Sequence, residues 1–241
     1  MSVPLLEVEK ISKRFGGFQA LREVSLHIYI GERVGLIGPN GSGKSTLIGI
    51  ISGLQACDRG KVFFHRQEIT TWPAYRRARL GIARSFQIPR PFPSMTVLDN
   101  VCIPLEYATH EKSSQSQVVD EAQQILQRVG LISKRNVKST ELTQIDLRRL
   151  ELARALAIKP KLLLLDEVMA GLSTGEVDEL LGLLYELNRQ GIAVVMVEHI
   201  MRAVMGFSQR VVVLNAGSKI AEGTPEEIVK IEEVERIYLG E

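Results

Sequence analysis

Gly38-Pro39-Asn40-Gly41-Ser42-Gly43-Lys44-Ser45-Thr46 decides how this chain is read. The stretch spells G-x-x-x-x-G-K-S, opened by Gly38 and closed by Gly43, Lys44 and Ser45, which is the pattern of a phosphate-binding loop. Triphosphate chemistry accounts for each residue type. Glycines let the backbone pass close to phosphates with its N–H groups turned toward them. A helix beginning at the loop aims its dipole and its unbonded N–H donors at the same anion. Lys44 has the reach for β- and γ-phosphate oxygens, and the Ser45 hydroxyl is placed to coordinate Mg²⁺. Pro39, Asn40, Gly41, Ser42 and Thr46 complete the cradle. The expected ligands are a nucleoside triphosphate and Mg²⁺.

The flanks supply the context that such a loop requires. Arg33-Val34-Gly35-Leu36-Ile37 reads as a short buried strand before it. After it, Leu47, Ile50, Ile51 and Leu54 recur at helical spacing. Upstream, Val24, Leu26, Ile28 and Ile30 alternate with Ser25, His27 and Tyr29, as in a half-buried strand. Gly60 to Ile69 reads as one further strand, with Val62 and Phe64 on one face.

At Ile88-Pro89-Arg90-Pro91-Phe92-Pro93 the texture breaks, since three prolines forbid regular helix or sheet. A helical stretch follows: Val118, Ala122, Ile125 and Val129 share one face, and Leu150, Ala153 and Ala157 another. From residue 161 the β/α pattern returns. Leu162–Leu165 is a buried strand, Val177, Leu180, Leu181, Leu184 and Leu187 stripe a helix stopped by Gly191, and strands follow at 192–197 and 211–214. Thr224-Pro225-Glu226-Glu227 is a capping box that opens a last helix. The expected organisation is a nucleotide-binding α/β core, residues 1–87 and 159–241, interrupted by a helical insert at 88–158.

Composition narrows the partners. Lys and Arg number 30 against 28 Asp and Glu, a net charge of +2, too balanced for nucleic acid as the main partner. The longest uninterrupted apolar run, Ile192 to Val197, falls far short of the ~20 residues a membrane span needs. Cys57 and Cys102 lie apart without metal-site spacing, as expected of unpaired thiols in a reducing compartment. With no secretion signal read at the N-terminus, the expected location is the cytosol. Arg76, Arg77, Arg79, Arg84 and Arg90 read as a solvated face, with lipid headgroups or a partner as the alternative.

Three further positions carry chemistry. Asp166 ends the Leu162–Leu165 strand, where a carboxylate can hold Mg²⁺ opposite Ser45. Glu167 would lie near the γ-phosphate, where a carboxylate can polarise the attacking water. His199 follows the 192–197 strand, and strand ends in open α/β sheets are where ligands sit. Position alone leaves it open between a γ-phosphate contact and an ordinary histidine. Gln87, at the entry to the insert, is a neutral amide able to touch Mg²⁺.

In order and spacing, Gly38–Thr46, Gln87, Leu162–Glu167 and His199 resemble the nucleotide-binding subunits of ABC transporters. The resemblance runs to about residue 229 and implies an ATPase. Its fold would be a P-loop core with a mainly parallel sheet, an N-terminal antiparallel β subdomain and an inserted helical subdomain. Two such subunits would pair head-to-tail, each ATP held between one P-loop and the other's signature helix. By the same likeness Phe15 stacks on adenine, unless it is an ordinary core phenylalanine, and Gln87 with the segment after it meets transmembrane permease subunits. Ile82–Gln87, Phe92–Val101, Asp166–Leu172, Val197–Met201 and Gly223–Ile228 are similar to the branched-chain amino acid uptake ATPases. Urea or amide importers and the lipopolysaccharide-export ATPase lie close by, and a soluble, non-transport ATPase of the same fold is the further alternative. An importer implies a place on the inner face of the cell membrane and, indirectly, a periplasmic or surface solute-binding protein.

One stretch departs from the family. Where it carries Leu-Ser-Gly-Gly-Gln, this chain has Leu142-Thr143-Gln144-Ile145-Asp146. Thr143 keeps a hydroxyl and the helix start keeps its N–H donors. Ile145, however, is expected to crowd a nucleotide across the interface, and Asp146 to bring negative charge near it. The departure favours a second, different cassette as partner over a homodimer.

Overall fold

A computed structural model describes residues 3–85, 89–108 and 114–239. In chain order these form β1 (Leu6–Phe15), β2 (Phe18–Ile28), β3 (Arg33–Ile37), α1 (Lys44–Ser52), β4 (Arg59–Phe64), β5 (Gln67–Glu68), α2 (Ala74–Leu80) and β6 (Ile82–Arg84). Then come α3 (Val97–Ala108), α4 (Gln115–Arg128), α5 (Gln144–Leu156), β7 (Leu162–Asp166), α6 (Thr174–Arg189) and β8 (Ala193–Val197). The chain ends with α7 (Met201–Phe207), β9 (Arg210–Asn215), β10 (Ser218–Gly223), α8 (Pro225–Ile228) and α9 (Glu232–Leu239).

Two sheets organise the molecule. The N-terminal one is antiparallel, in the order β2-β1-β4-β5. The central one runs β10-β9-β3-β8-β7-β6 and is parallel except where β10 turns back on β9. Strands covered on both faces are apolar throughout, and β7 shows the division. Leu162 and Leu164 pack with β1, β2 and α1, while Leu163 and Leu165 pack with α4, α5 and α6. One strand thus serves two cores through its two-residue period. Among the described residues the helical stretch between β6 and β7 has no core of its own, because Val118, Leu126 and Leu150 belong to the same cluster as Met196 and Val177.

Local chemistry corrects several sequence expectations. Residues 60–69 are two strands, because His65 and Arg66 adopt φ of 49° and 64° and turn the chain between Phe64 and its partner Gln67. Ile30 lies outside β2 and is exposed, since a turn closed by Glu32 starts at Tyr29. Leu54 is exposed too: α1 stops at Gly53, whose φ of 79° swings the chain away. Thr224 does form a capping box with Glu227, but α8 lasts one turn and α9 follows it. The arginine cluster is a solvated face only in part: Arg76, Arg79 and Arg90 are exposed, but Arg77 and Arg84 are not. Arg77 is 2% exposed and donates to the carbonyls of Ile50, Ile51, Thr70 and Trp72. Burial pushes its guanidinium down to about 10. Arg84 is drawn into an ion pair.

Candidate active site

The loop after β3 takes its shape from two positions that exclude a side chain. A Cβ on Gly38 would stand 2.1 Å from Leu214 O in β9, and one on Gly43 2.6 Å from Ala20 O in β2. Both sites also hold positive φ, 151° and 103°, which glycine adopts without strain. Gly43 precedes α1 and brings no side-chain oxygen to cap it, so the first-turn N–H groups are left to a ligand. Lys44 is buried and donates to Gly38 O at 2.7 Å and Pro39 O at 2.9 Å. Burial pushes its ammonium below the usual lysine range, while Glu167 and Asp166 pull it back up.

Beside this loop opens a cleft of about 260 Å³ lined by Phe15, Phe18, Ala20, Asn40, Gly41, Gly43, Lys44, Ser45, Thr46 and Glu167. Sequence-predicted residues from three separate stretches therefore meet here. Gly38, Pro39 and Ser42 build the loop from behind, with Pro39 O accepting from Ser42 N–H. Phe15 is half-exposed at the β1–β2 turn and is therefore not an ordinary core phenylalanine. Phe18, its cross-strand partner, is more exposed still. Sequence reading passed over Phe18, although Phe-Gly-Gly-Phe puts one aromatic on each side of the turn.

At the far edge the ends of β7 and β8 converge. Asp166 is nearly buried and accepts from Arg84 Nη2 at 2.8 Å. Glu167 holds φ of 52°, donates its N–H to Val197 O at 2.9 Å, and sets Oε1 2.8 Å from His199 Nε2. Glu198, another residue not singled out from sequence, is 3% exposed, and its Oε1 accepts from Met169 N–H at 2.8 Å. Desolvation pushes the Glu198 carboxyl above its ordinary range, against the pull of the Met169 and His199 N–H groups. Gln87 lies outside the described residues.

The hydroxyl of Ser45 and the carboxylate of Asp166 are hard oxygen donors suited to Mg²⁺. Among the described residues no group of three His, Cys, Asp or Glu stands ready to hold a metal. Such a donor set fits a cation held by one or two protein oxygens and completed by phosphate.

Leu142–Asp146 do not line the cleft. Thr143 caps α5, its hydroxyl donating to Asp146 Oδ2 at 2.7 Å. Asp146 is buried against Thr143 and Lys134, so it does not project charge toward a ligand as expected from sequence. Desolvation pushes its carboxyl up, but bonds from Lys134 and Thr143 hold it below the usual range. Gln144 reaches across to donate to Ala170 O at 3.0 Å. A second hollow, of about 350 Å³, lies between core and helical stretch, lined in part by Leu54, Ala83, Arg84, Arg90, Glu151 and Arg154.

Comparison with known proteins places these observations. The sequence pattern of the family described as ABC transporter matches residues 21–170. The chain is 38% identical to the high-affinity branched-chain amino acid transport ATP-binding protein LivG of Escherichia coli (strain K12), across 100% of both chains. It is 35% identical to the lipopolysaccharide export system ATP-binding protein LptB of Acidithiobacillus ferridurans, over 98% of this chain and 97% of that one. Among solved structures it resembles the ADP conformation of MJ1267, an ATP-binding cassette, with 32% identity, a TM-score of 0.90 and 100% of both chains covered. The dimeric post-hydrolysis cassette MJ0796 bound to ADP and Pi aligns at 28% identity and a TM-score of 0.83, over 91% of this chain and 98% of that one.

Proposed function

Because the chain belongs to the ABC transporter family and is an ATP-binding cassette ATPase, we propose that it powers import of branched-chain or related amino acids. The end-to-end likeness to LivG carries the substrate class. The Glu167–His199 contact at the rim of the Lys44 cleft carries the chemistry. Lys44 and the N–H groups of the loop bind the phosphates, and Phe15, joined by Phe18, receives the adenine face. Ser45 and Asp166 would hold Mg²⁺, with Gln87 as a further ligand, and the cation would neutralise charge on the phosphates. Water attacks the γ-phosphorus, its proton passes to Glu167, and the bond to the bridging oxygen breaks to give ADP and inorganic phosphate. An ionised carboxylate only accepts, so the proton of the 2.8 Å contact sits on His199 Nε2 and fixes the Glu167 orientation.

The partners follow from the same reading. Among the described residues no helix is long and apolar enough to cross a membrane, so transport requires separate permease subunits. The hollow between core and helical stretch, walled by Ala83, Arg84 and Arg154, offers them a surface at the inner face of the membrane. A second cassette with glycines at its own signature is the favoured partner, since Gln144 and Ile145 occupy those positions here. A periplasmic or surface solute-binding protein would deliver the amino acid.

Uptake of labelled leucine, isoleucine and valine by cells lacking the chain tests this reading. Uptake should be lost, and restored by the parent but not by Glu167→Gln. Normal uptake with defective lipopolysaccharide transport would favour export instead, a reading that the likeness to LptB keeps in play.

A further inference from the structure

Glu198 sits between a fully apolar strand and His199, where a carboxylate is costly to bury. A backbone donor offsets part of that cost. Its Oε1 takes the Met169 N–H at 2.8 Å, and the residue itself runs directly into His199. The residue that leads into His199 thereby grips the backbone two residues after Glu167. The side chains of those two residues meet at 2.8 Å, and Val197 O holds the Glu167 N–H at 2.9 Å. Between these anchors Glu167 keeps a φ of 52°, a strained value for a residue with a Cβ and one that persists only where the surroundings impose it. Glu198 does not line the cleft, so it acts on nucleotide only through its neighbours.

We propose that Glu198 is a positioning residue for ATP hydrolysis, its buried carboxylate clamping the Glu167 turn to the His199 segment so that their side chains meet at the cleft rim. The role rests on the reading of Glu167 as the group that polarises water. It does not extend to phosphate binding, which belongs to the loop on the other side of the cleft. Loss of the clamp therefore lowers turnover and leaves ATP affinity intact.

Steady-state ATP hydrolysis by the full chain, in complex with its partner cassette if it needs one, tests this. Glu198→Ala should lower kcat about 100-fold, the usual scale for a misplacement of about 1 Å. KM and the ATP Kd by titration should stay within about threefold of the parent. Glu198→Gln keeps the shape and one acceptor oxygen, and should recover to within about tenfold of parent kcat, a tenfold step being about 1.4 kcal/mol. In a Glu167→Gln background, Glu198→Ala should reduce turnover no further, because the clamp acts through Glu167. Parent-like kcat in both Glu198 variants overturns the proposal, as does a loss fully additive with Glu167→Gln. Should Glu198→Ala fail to fold, Glu198→Leu, which keeps the bulk but loses both acceptor oxygens, takes its place: lowered kcat at unchanged KM supports the clamp, and parent kcat overturns it. Unchanged turnover in Glu167→Gln overturns the hydrolytic reading itself; turnover that depends on Glu167 but not on Glu198 overturns only the clamp.

Discussion

Lys44 donates to two carbonyls of its own loop, Gly38 O and Pro39 O, which hold the ammonium at the floor of the cleft. Phosphate oxygens are stronger acceptors for a cation than neutral carbonyls, since charge-assisted bonds are roughly twice as strong. Lys44→Ala should weaken ATP binding by about 10- to 100-fold, the range of one or two such bonds. Equilibrium titration with a fluorescent ATP analogue reads this directly, and parent-like affinity would remove Lys44 from the phosphate site. Asp146 gives a pH-dependent counterpart. Its carboxyl is held below the ordinary range in the folded chain. The stability it contributes is thus present above the unfolded pKa, near 4, and lost as pH falls through the lower folded value. Asp146→Asn should cost about 1 kcal/mol at pH 7, because Lys134 keeps partial access to water. Urea denaturation should show that deficit shrinking below about pH 4; a constant deficit across pH would mean the charge is irrelevant.

At the scale of elements, helix ends are settled by side chains far along the chain. The last carbonyls of α1 are satisfied by Arg77, which comes from α2 and also bonds Thr70 O and Trp72 O. Arg77→Ala removes four bonds to a buried cation and should destabilise the protein by about 3 kcal/mol or more. Calorimetry should register this as a Tm lower by roughly 6–12 °C for a chain of this size, with Arg77→Lys recovering only part because an ammonium lacks the planar fork. Nothing in Arg76-Arg77-Ala78-Arg79 separates the buried arginine from its exposed neighbours, so this element contact was not legible in the sequence. What was legible is what periodicity and local chemistry determine: the strand before the loop, the buried run at Leu162–Leu165, the Thr224 cap and the residues of the cleft other than Phe18 and Ala20. The β4–β5 turn escaped because His65 and Arg66, neither of them glycine, take left-handed backbone. The pairing of Asp146 and the grip of Glu198 escaped because their partners, Lys134 and Met169, arrive through tertiary packing alone.

Across the whole molecule, the helical stretch and the core share one apolar cluster and are pinned together by Arg149–Glu179, Arg128–Gln190 and Gln144–Ala170. If residues 88–158 move as a unit when ATP replaces ADP, this continuity favours a shear of about 1–2 Å over an open hinge, since packed cores are not freely deformable. Spin-label distances from α4 to β10 in the two nucleotide states should differ by that order, and identical distances would exclude the motion. The strand order carries a different kind of consequence. The antiparallel sheet is complete once β5 has been made, but β3 lies between β8 and β9 and finds neither neighbour until nearly the end of the chain. At a synthesis rate of 5–20 residues per second, the roughly 180 residues from β3 to β9 take about 10–35 s. Both edges of an apolar strand stand open until β8 is made, and until β9 follows Gly38 lacks the Leu214 carbonyl against which the phosphate loop is shaped. ATP can therefore stabilise the finished protein but cannot guide a chain still on the ribosome, and stalled chains ending before β8 should be protected from protease in the first sheet alone, with or without nucleotide.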